Sequence, residues 1–279
     1  MVDGRHWLNG LPPELGPQRR LLEGLLNWCE DDIDARWLTV GCSLERGNAD
    51  PLSDLDVAIG IREAAFERAL PRVREAVGHL GDLVEAFDYL MPLSFPLHRF
   101  FAQYRDRTQV DLTVGCAPAA YIPRSIVLYA PDGIVHVLGD AVLDPNADEV
   151  RTWACRGWEA LVNVGKYLRR GSYWEALSQL EQARDHLFRL WALTEQVSQA
   201  RYGVTALIDA GVSLPPGIER SLPGSTLEGL LAAARYLAEM LTELQRRLGK
   251  GNPYELPHAF ADFVTADLAQ VGSATFRAD

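Results

Sequence analysis

The sequence predicts an α/β domain, a mixed sheet with helices, followed by an all-α helical bundle. Three observations predict it. Short apolar runs with period-two alternation interleave with helical stretches as far as about residue 138. The pattern changes around Asp144-Pro145-Asn146. Beyond that point apolar residues recur at three- and four-residue steps, and no segment reads as a strand. The expected domains are therefore 1–145 and 146–279.

Residues 16 to 31 read as a helix leading into a strand, Arg36 to Val40. Gly41-Cys42-Ser43 follows as a small-residue turn, and after a loop Asp54-Leu55-Asp56 opens a strand running to Ile61. Glu63 to Leu80 is helical, and Pro71 is expected to kink or interrupt it, because proline removes a hydrogen-bond donor and crowds the preceding turn. Leu83–Leu90, His98–Tyr104 and Gln109–Val114 read as strands, with Arg105-Asp106-Arg107-Thr108 as the hairpin connection between the last two. Ser125 to Ala130, a Pro131-Asp132-Gly133 turn and Ile134 to Leu138 predict a terminal hairpin. In the second half, Trp153, Trp158, Leu161 and Leu168 mark one helix. Trp174, Leu177, Leu180, Leu187, Leu190 and Trp191 mark a second. Ser213 to Gly224, rich in Pro and Gly, reads as a loop. Ser225-Thr226-Leu227-Glu228 has the form of a capping box opening a helix to about Leu248.

The chemistry concentrates between Gly41 and Asp56. On a strand, side chains alternate faces and each residue advances about 3.3 Å, which puts Asp54 and Asp56 on one face roughly 6.6 Å apart. Leu55, Val57, Ile59 and Ile61 take the other face, that of a packed core. Two carboxylates this close repel unless a cation or a proton sits between them, and hard oxygen donors suit Mg²⁺ or Mn²⁺. Small residues at Gly41 to Ser43 let backbone amides approach phosphate oxygens, and the Ser43 hydroxyl adds a donor. A bare D-x-D is most often a solvated loop. The serine turn at fixed distance tips the reading toward a triphosphate cradle beside a metal. Asp111 points away from Val110, Leu112 and Val114 on a later strand. Beside the first pair it would make three carboxylates, enough to hold two divalent ions.

These residues resemble the nucleotidyltransferase superfamily that includes DNA polymerase beta, and most closely its small antibiotic-modifying members acting on aminoglycosides or lincosamides. Members carry a Gly-Ser turn, a loop of about ten residues, a D-x-D pair and a third acid on a later strand, a pattern much more specific than D-x-D alone. The resemblance covers roughly residues 36 to 115. It assigns Asp54, Asp56 and Asp111 to catalysis and metal binding, and Gly41 and Ser43 to the nucleotide phosphates. One departure is Cys42, which stands where the family usually has glycine. By analogy with second-domain basic residues in similar enzymes, Lys166 would reach the triphosphate across an interdomain cleft. Arg169 and Arg170 are weaker candidates, all three reading equally well as cations at a helix C-terminus. The implied reaction moves a nucleoside monophosphate, AMP from ATP or from another NTP its equivalent, to a hydroxyl of a small molecule. Asp111 is then the first candidate for the general base, with Glu85 and Asp88 in reserve. Protein adenylylation of the toxin–antitoxin type, and nucleotide binding without turnover, are the alternatives. Some members are homodimers with shared sites.

Composition bounds these readings. Hydrophobic content of 48% with 23% charged residues describes a soluble globular chain. No apolar run approaches the roughly 18 residues that span a bilayer, and the N-terminus lacks a secretory pattern, so a cytoplasmic location is expected. Net charge is −11, which disfavours a nucleic acid as the main substrate and favours a cationic or neutral acceptor. Lys166 and Lys250 are the only lysines. Cys29, Cys42, Cys116 and Cys155 lack the spacing of a zinc site or a disulfide framework and read as free thiols. Glu175, Glu181 and Asp185 offer a negative wall to a cationic acceptor, or simply helical charge pairs with Arg184 and Arg189. His186 reads as a core-edge residue, and Trp153, Trp158, Trp174 and Trp191 most simply as core, though one could stack on adenine or acceptor.

Overall fold

The computed structural model describes residues 3–91, 97–116, 119–120, 125–133, 136–137, 145–250 and 254–272, with backbone alone at 119–120 and 136–137. The chain divides into two compact units, residues 1–142 and 143–279, each around its own apolar core.

In the first unit, helices α1 (Gly4–Asn9) and α2 (Gly16–Asp31) precede strand β1 (Ala35–Val40). A five-residue helix, α3 (Cys42–Arg46), follows β1 directly, and then come β2 (Leu55–Ile61) and α4 (Phe66–His79). Strands β3 (Leu83–Leu90), β4 (Leu97–Tyr104), β5 (Gln109–Cys116), β6 (Ala119–Ala120), β7 (Ile126–Tyr129) and β8 (His136–Val137) complete the unit. The main sheet has the order β3-β4-β5-β2-β1-β7. Its β2 and β5 run parallel, and the other neighbours are antiparallel. Period-two alternation sorts the faces. Leu55, Val57, Ile59 and Ile61 of β2 and Val110, Leu112 and Val114 of β5 are buried with the apolar stripes of α2 and α4. The opposite face carries Asp56, Ala58 and Gly60 of β2, and there Trp37 packs on Ala58 and Ala130. Gly60 is required at that point: a Cβ would fall 2.0 Å from the Trp37 ring.

Two expectations for this unit are corrected. Helix α4 runs unbroken through Pro71. Pro71 lies on its exposed side, and Leu70, Val73 and Val77 on the buried side hold both halves against the sheet. The terminal hairpin is not formed as expected. Strand β7 pairs with β1, while His136–Val137 pairs in parallel with Ala119–Ala120; residues 134, 135 and 138 lie outside the described residues. Asp144, in the segment where the pattern changes, lies outside them too.

The second unit is a bundle of α5 (Ala147–Arg169), α6 (Tyr173–Thr194), the short α7 (Val204–Asp209), α8 (Leu227–Leu248) and α9 (His258–Gln270). Trp158, Leu161, Leu187, Leu190, Leu237, Leu241 and Val264 are buried in its core. The reciprocal capping box belongs to α5, where Asn146 Oδ1 accepts from the Glu149 amide at 2.9 Å and Glu149 Oε2 from the Asn146 amide at 3.1 Å. At α8 the cap is Thr226, one residue later than expected, and Gly229 in the third helical position has no side chain to reach back. Trp174 is also not core. The buried stripe of α6 runs Ala176, Leu180, Ala183, Leu187, Leu190, and Trp174 lies about 200° around the helix from Ala176, 77% exposed. Among the described residues no helix is long and apolar enough to cross a membrane.

Candidate active site

Register brings the sequence-predicted acids together. Because β2 and β5 run parallel, Asp56 and Asp111 stand directly opposite each other, on the face that the core does not use. Asp54 precedes β2 by one residue and is exposed. Strand β1 runs antiparallel to β2 with Val40 opposite Val57, so the turn leaving β1 arrives at the end of the sheet where β2 begins. There the Gly41 amide donates to the Asp56 carbonyl oxygen at 2.9 Å. This bond ties the Ser43 turn to the acid strand. It also engages the Gly41 amide, leaving Ser43 as the phosphate donor the sequence singled out at this turn. The Ser43 hydroxyl oxygen is buried and has no hydrogen-bond partner among the described residues.

The backbone at Cys42 suits a glycine better than a side chain. Its φ is +56°, in the left-handed region that costs a side chain energy. The thiol offsets part of this by donating to the Asp56 carboxylate. Burial, with the charges of Asp56 and Asp54 adding to it, pushes the Cys42 thiol up to about 12, so it remains a protonated donor. Asp56 is itself pushed up to about 6, first by burial and then by the charge of Asp54; Asp111 pushes the same way, while the Cys42 bond and the Arg99 charge oppose it. Burial and the neighbouring carboxylates both make a compensating positive charge favourable at Asp56.

Part of that charge comes from a residue the sequence reading did not include. Arg99 on β4 grips Asp111 with two parallel bonds, Nε to Oδ1 at 2.6 Å and an Nη to Oδ2. Tyr89, its partner across β3–β4, accepts from the same guanidinium. The signal was present in the sequence: Phe101 pairs with Asp111, so Arg99 sits two residues along on the same face, a diagonal neighbour of opposite charge in a readable hairpin. Gln18 was also missed. It lies on the buried stripe of α2 where an apolar residue belongs, wholly buried. Its Nε2 donates to the carbonyl oxygens of Ser53 at 3.1 Å, Pro51 at 3.3 Å and Asp50 at 3.4 Å. It thereby anchors the loop that delivers Asp54.

The reserve bases separate by face. Asp88 pairs with Phe100 and lies on the core side, bound by both oxygens to Arg74 at 2.8 Å and by His98 Nε2 at 2.5 Å. Burial alone would raise it, but those bonds outweigh burial and hold its carboxyl below the usual range. It is therefore removed from the acid face. Glu85 is exposed on β3 and accepts from the Ala86 amide at 2.9 Å.

In the second unit, the exposed Lys166 donates to Asn163 Oδ1 at 2.8 Å and lies 4.5 Å over the Tyr167 ring. Arg169 is paired with Asp267 at 2.7 Å. Asp185 pairs with Arg189 at 2.7 Å as expected, but Arg184 turns to Ser221, donating to its hydroxyl at 2.9 Å. His186 is half-buried with Nδ1 unpartnered among the described residues.

The donor set of Asp54 and Asp56, hard oxygens repelling each other beside an unpartnered hydroxyl, fits a hard divalent cation. Asp111 as placed does not complete such a site, since both its oxygens are on Arg99. Among the described residues no group of three His, Cys, Asp or Glu side chains is arranged to hold a metal ion.

No protein-family model matches the chain, and no curated protein sequence matches it. Among solved structures it is similar to an aminoglycoside 6-adenyltransferase from Bacillus subtilis, at 13% identity over 91% of this chain and 98% of that one, with a TM-score of 0.42. It is also similar to a nucleotidyltransferase-like protein from Exiguobacterium sibiricum 255-15, at 12% identity over 88% and 86% of the two chains, with a TM-score of 0.32.

Proposed function

We propose that the chain is a metal-dependent nucleotidyltransferase that moves a nucleoside monophosphate, AMP from ATP foremost, to a hydroxyl of a small cationic acceptor of the aminoglycoside type. The observation that carries the reading is the register of the acids: Asp56 faces Asp111 across parallel neighbours, Asp54 lies two residues before, and the Ser43 turn is tied to Asp56 by the Gly41 amide. Asp54 and Asp56 would hold Mg²⁺ or Mn²⁺, which when bound neutralises triphosphate charge. Ser43 donates to the departing phosphates. The acceptor hydroxyl oxygen attacks the α-phosphorus, the bond to pyrophosphate breaks with its electron pair leaving on the pyrophosphate, and the hydroxyl proton passes to a carboxylate of the trio. Most of the acceleration comes from positioning and charge compensation. The net charge of −11 supports a cationic acceptor and disfavours a polyanion.

The Arg99 grip on Asp111 and the side chain at Cys42 favour one second reading, a nucleotide-binding protein without turnover. Mass spectrometry separates the two. The chain is incubated with Mg²⁺, ATP and pooled aminoglycosides and lincosamides, beside an Asp54→Ala/Asp56→Ala variant whose folding is checked by circular dichroism. An AMP adduct made by the wild type alone is the expected result. Nucleotide retained without any adduct supports the binding protein, and equal activity in the variant sinks the catalytic assignment.

A further inference from the structure

Three carboxylates at one site invite two divalent ions, and the third acid is where the structure departs from that arrangement. Asp111 Oδ1 and Oδ2 are each taken by the Arg99 fork, the bidentate geometry that best satisfies a carboxylate. Tyr89, its cross-strand partner, accepts from the same guanidinium, and Arg99 lies on β4 immediately beside the Asp111 strand. Charge makes the same point. Asp54, Asp56 and Asp111 together carry three negative charges; Arg99 balances one, and a single divalent ion on Asp54 and Asp56 balances the other two. In the nucleotide-free site a second ion would add two surplus charges, and with or without nucleotide it would have to strip Asp111 of its fork.

We infer that Arg99 is the resident counter-ion of the third acid, standing in for a second metal, so that this chain carries one divalent ion on Asp54 and Asp56 and positions Asp111 through Arg99. The inference rests on the nucleotidyl-transfer reading for its metal but concerns a different quantity, the number of ions bound. Arg99 is thus a positioning residue: it acts through Asp111, and its removal changes the metal count as well as any rate.

Mn²⁺ bound per chain is counted by electron paramagnetic resonance titration of the full-length protein, with and without a non-hydrolysable ATP analogue. The wild type is expected to bind one ion with the analogue present. Asp111→Asn should leave that ion within about threefold in affinity, whereas Asp56→Asn should weaken it roughly tenfold or more, as loss of a charged ligand does. Arg99→Gln should admit a second ion, and Arg99→Lys, which keeps the charge but not the fork, should stay at one. Should Arg99→Gln fail to fold, Asp111→Asn and the Arg99→Gln/Asp111→Asn pair, expected to bind one ion, still decide. Two ions in the wild type, falling to one in Asp111→Asn, would overturn the inference and leave the reaction standing. No ion at all in the wild type would overturn the metal-dependent reading and the inference together.

Discussion

Asp56 concentrates the electrostatic tension of the first unit. Half-buried beside Asp54 and Asp111, it is pushed up to about 6, so between about pH 4 and 6 the folded state holds the proton that the unfolded chain has lost. Well below the ordinary aspartate range both states are protonated and the residue costs nothing. As pH rises from about 4 through 6 the unfolded chain ionises freely, the folded one resists, and stability is lost. Without divalent ions, Asp56→Asn should therefore melt above the wild type at neutral pH, with the gap closing as pH falls toward 4. Melting temperatures of the two proteins across that range test this, and a gap that persists unchanged in acid would place the effect elsewhere. Cys42 belongs to the same balance, since its thiol gives Asp56 a donor at the cost of a left-handed backbone. The cysteine was visible in the sequence; its φ of +56° and its bond to a residue fourteen positions away were not.

At the level of elements, the strands and long helices follow from periodicity, because burial of one face selects a period of two or of 3.6 whatever the neighbours are. What periodicity does not carry is the loop between α3 and β2. That loop is held from below by Gln18, a polar residue on the apolar stripe of α2 whose Nε2 meets three loop carbonyls. Gln18→Leu keeps the volume and burial of the stripe but takes the side-chain donor from the Pro51 and Ser53 carbonyls, while that of Asp50 keeps the Ser53 amide; the loss is about 1–3 kcal/mol where such groups stay buried. Faster amide hydrogen exchange across residues 50–54, with α2 itself unchanged, is expected in this variant. Exchange unaltered in the loop would mean that Asp54 is positioned by other contacts. Capping shows the same divide. The Ser225–Glu228 pattern is a genuine capping-box string, yet α8 starts at Leu227 and is capped one residue later than the string implies, by Thr226, because the first turn follows the burial of Leu230 and Leu231 rather than the string.

For the whole molecule, the excess of 38 acidic over 27 basic residues is a property of every copy of the chain, independent of how it folds. It gives long-range attraction for cations that salt screens over about 8–10 Å at physiological strength. If the proposed acceptor class is right, raising ionic strength should increase KM for a cationic acceptor several-fold more than for a neutral one. Parallel initial-rate titrations in the two acceptors measure this, and equal sensitivity would remove steering from the account. The sequence alone determined the α/β-then-α order and the acidic character, and singled out Asp54, Asp56 and Asp111 as candidates, because composition, periodicity and motif spacing are local in the chain. Only the tertiary structure decided which face each acid shares and with whom. The parallel β2–β5 register set Asp111 against Asp56, and the β4–β5 hairpin delivered Arg99 onto it. Pairing between strands far apart in the chain is governed by which apolar faces close a common core, and no window along the sequence contains that choice.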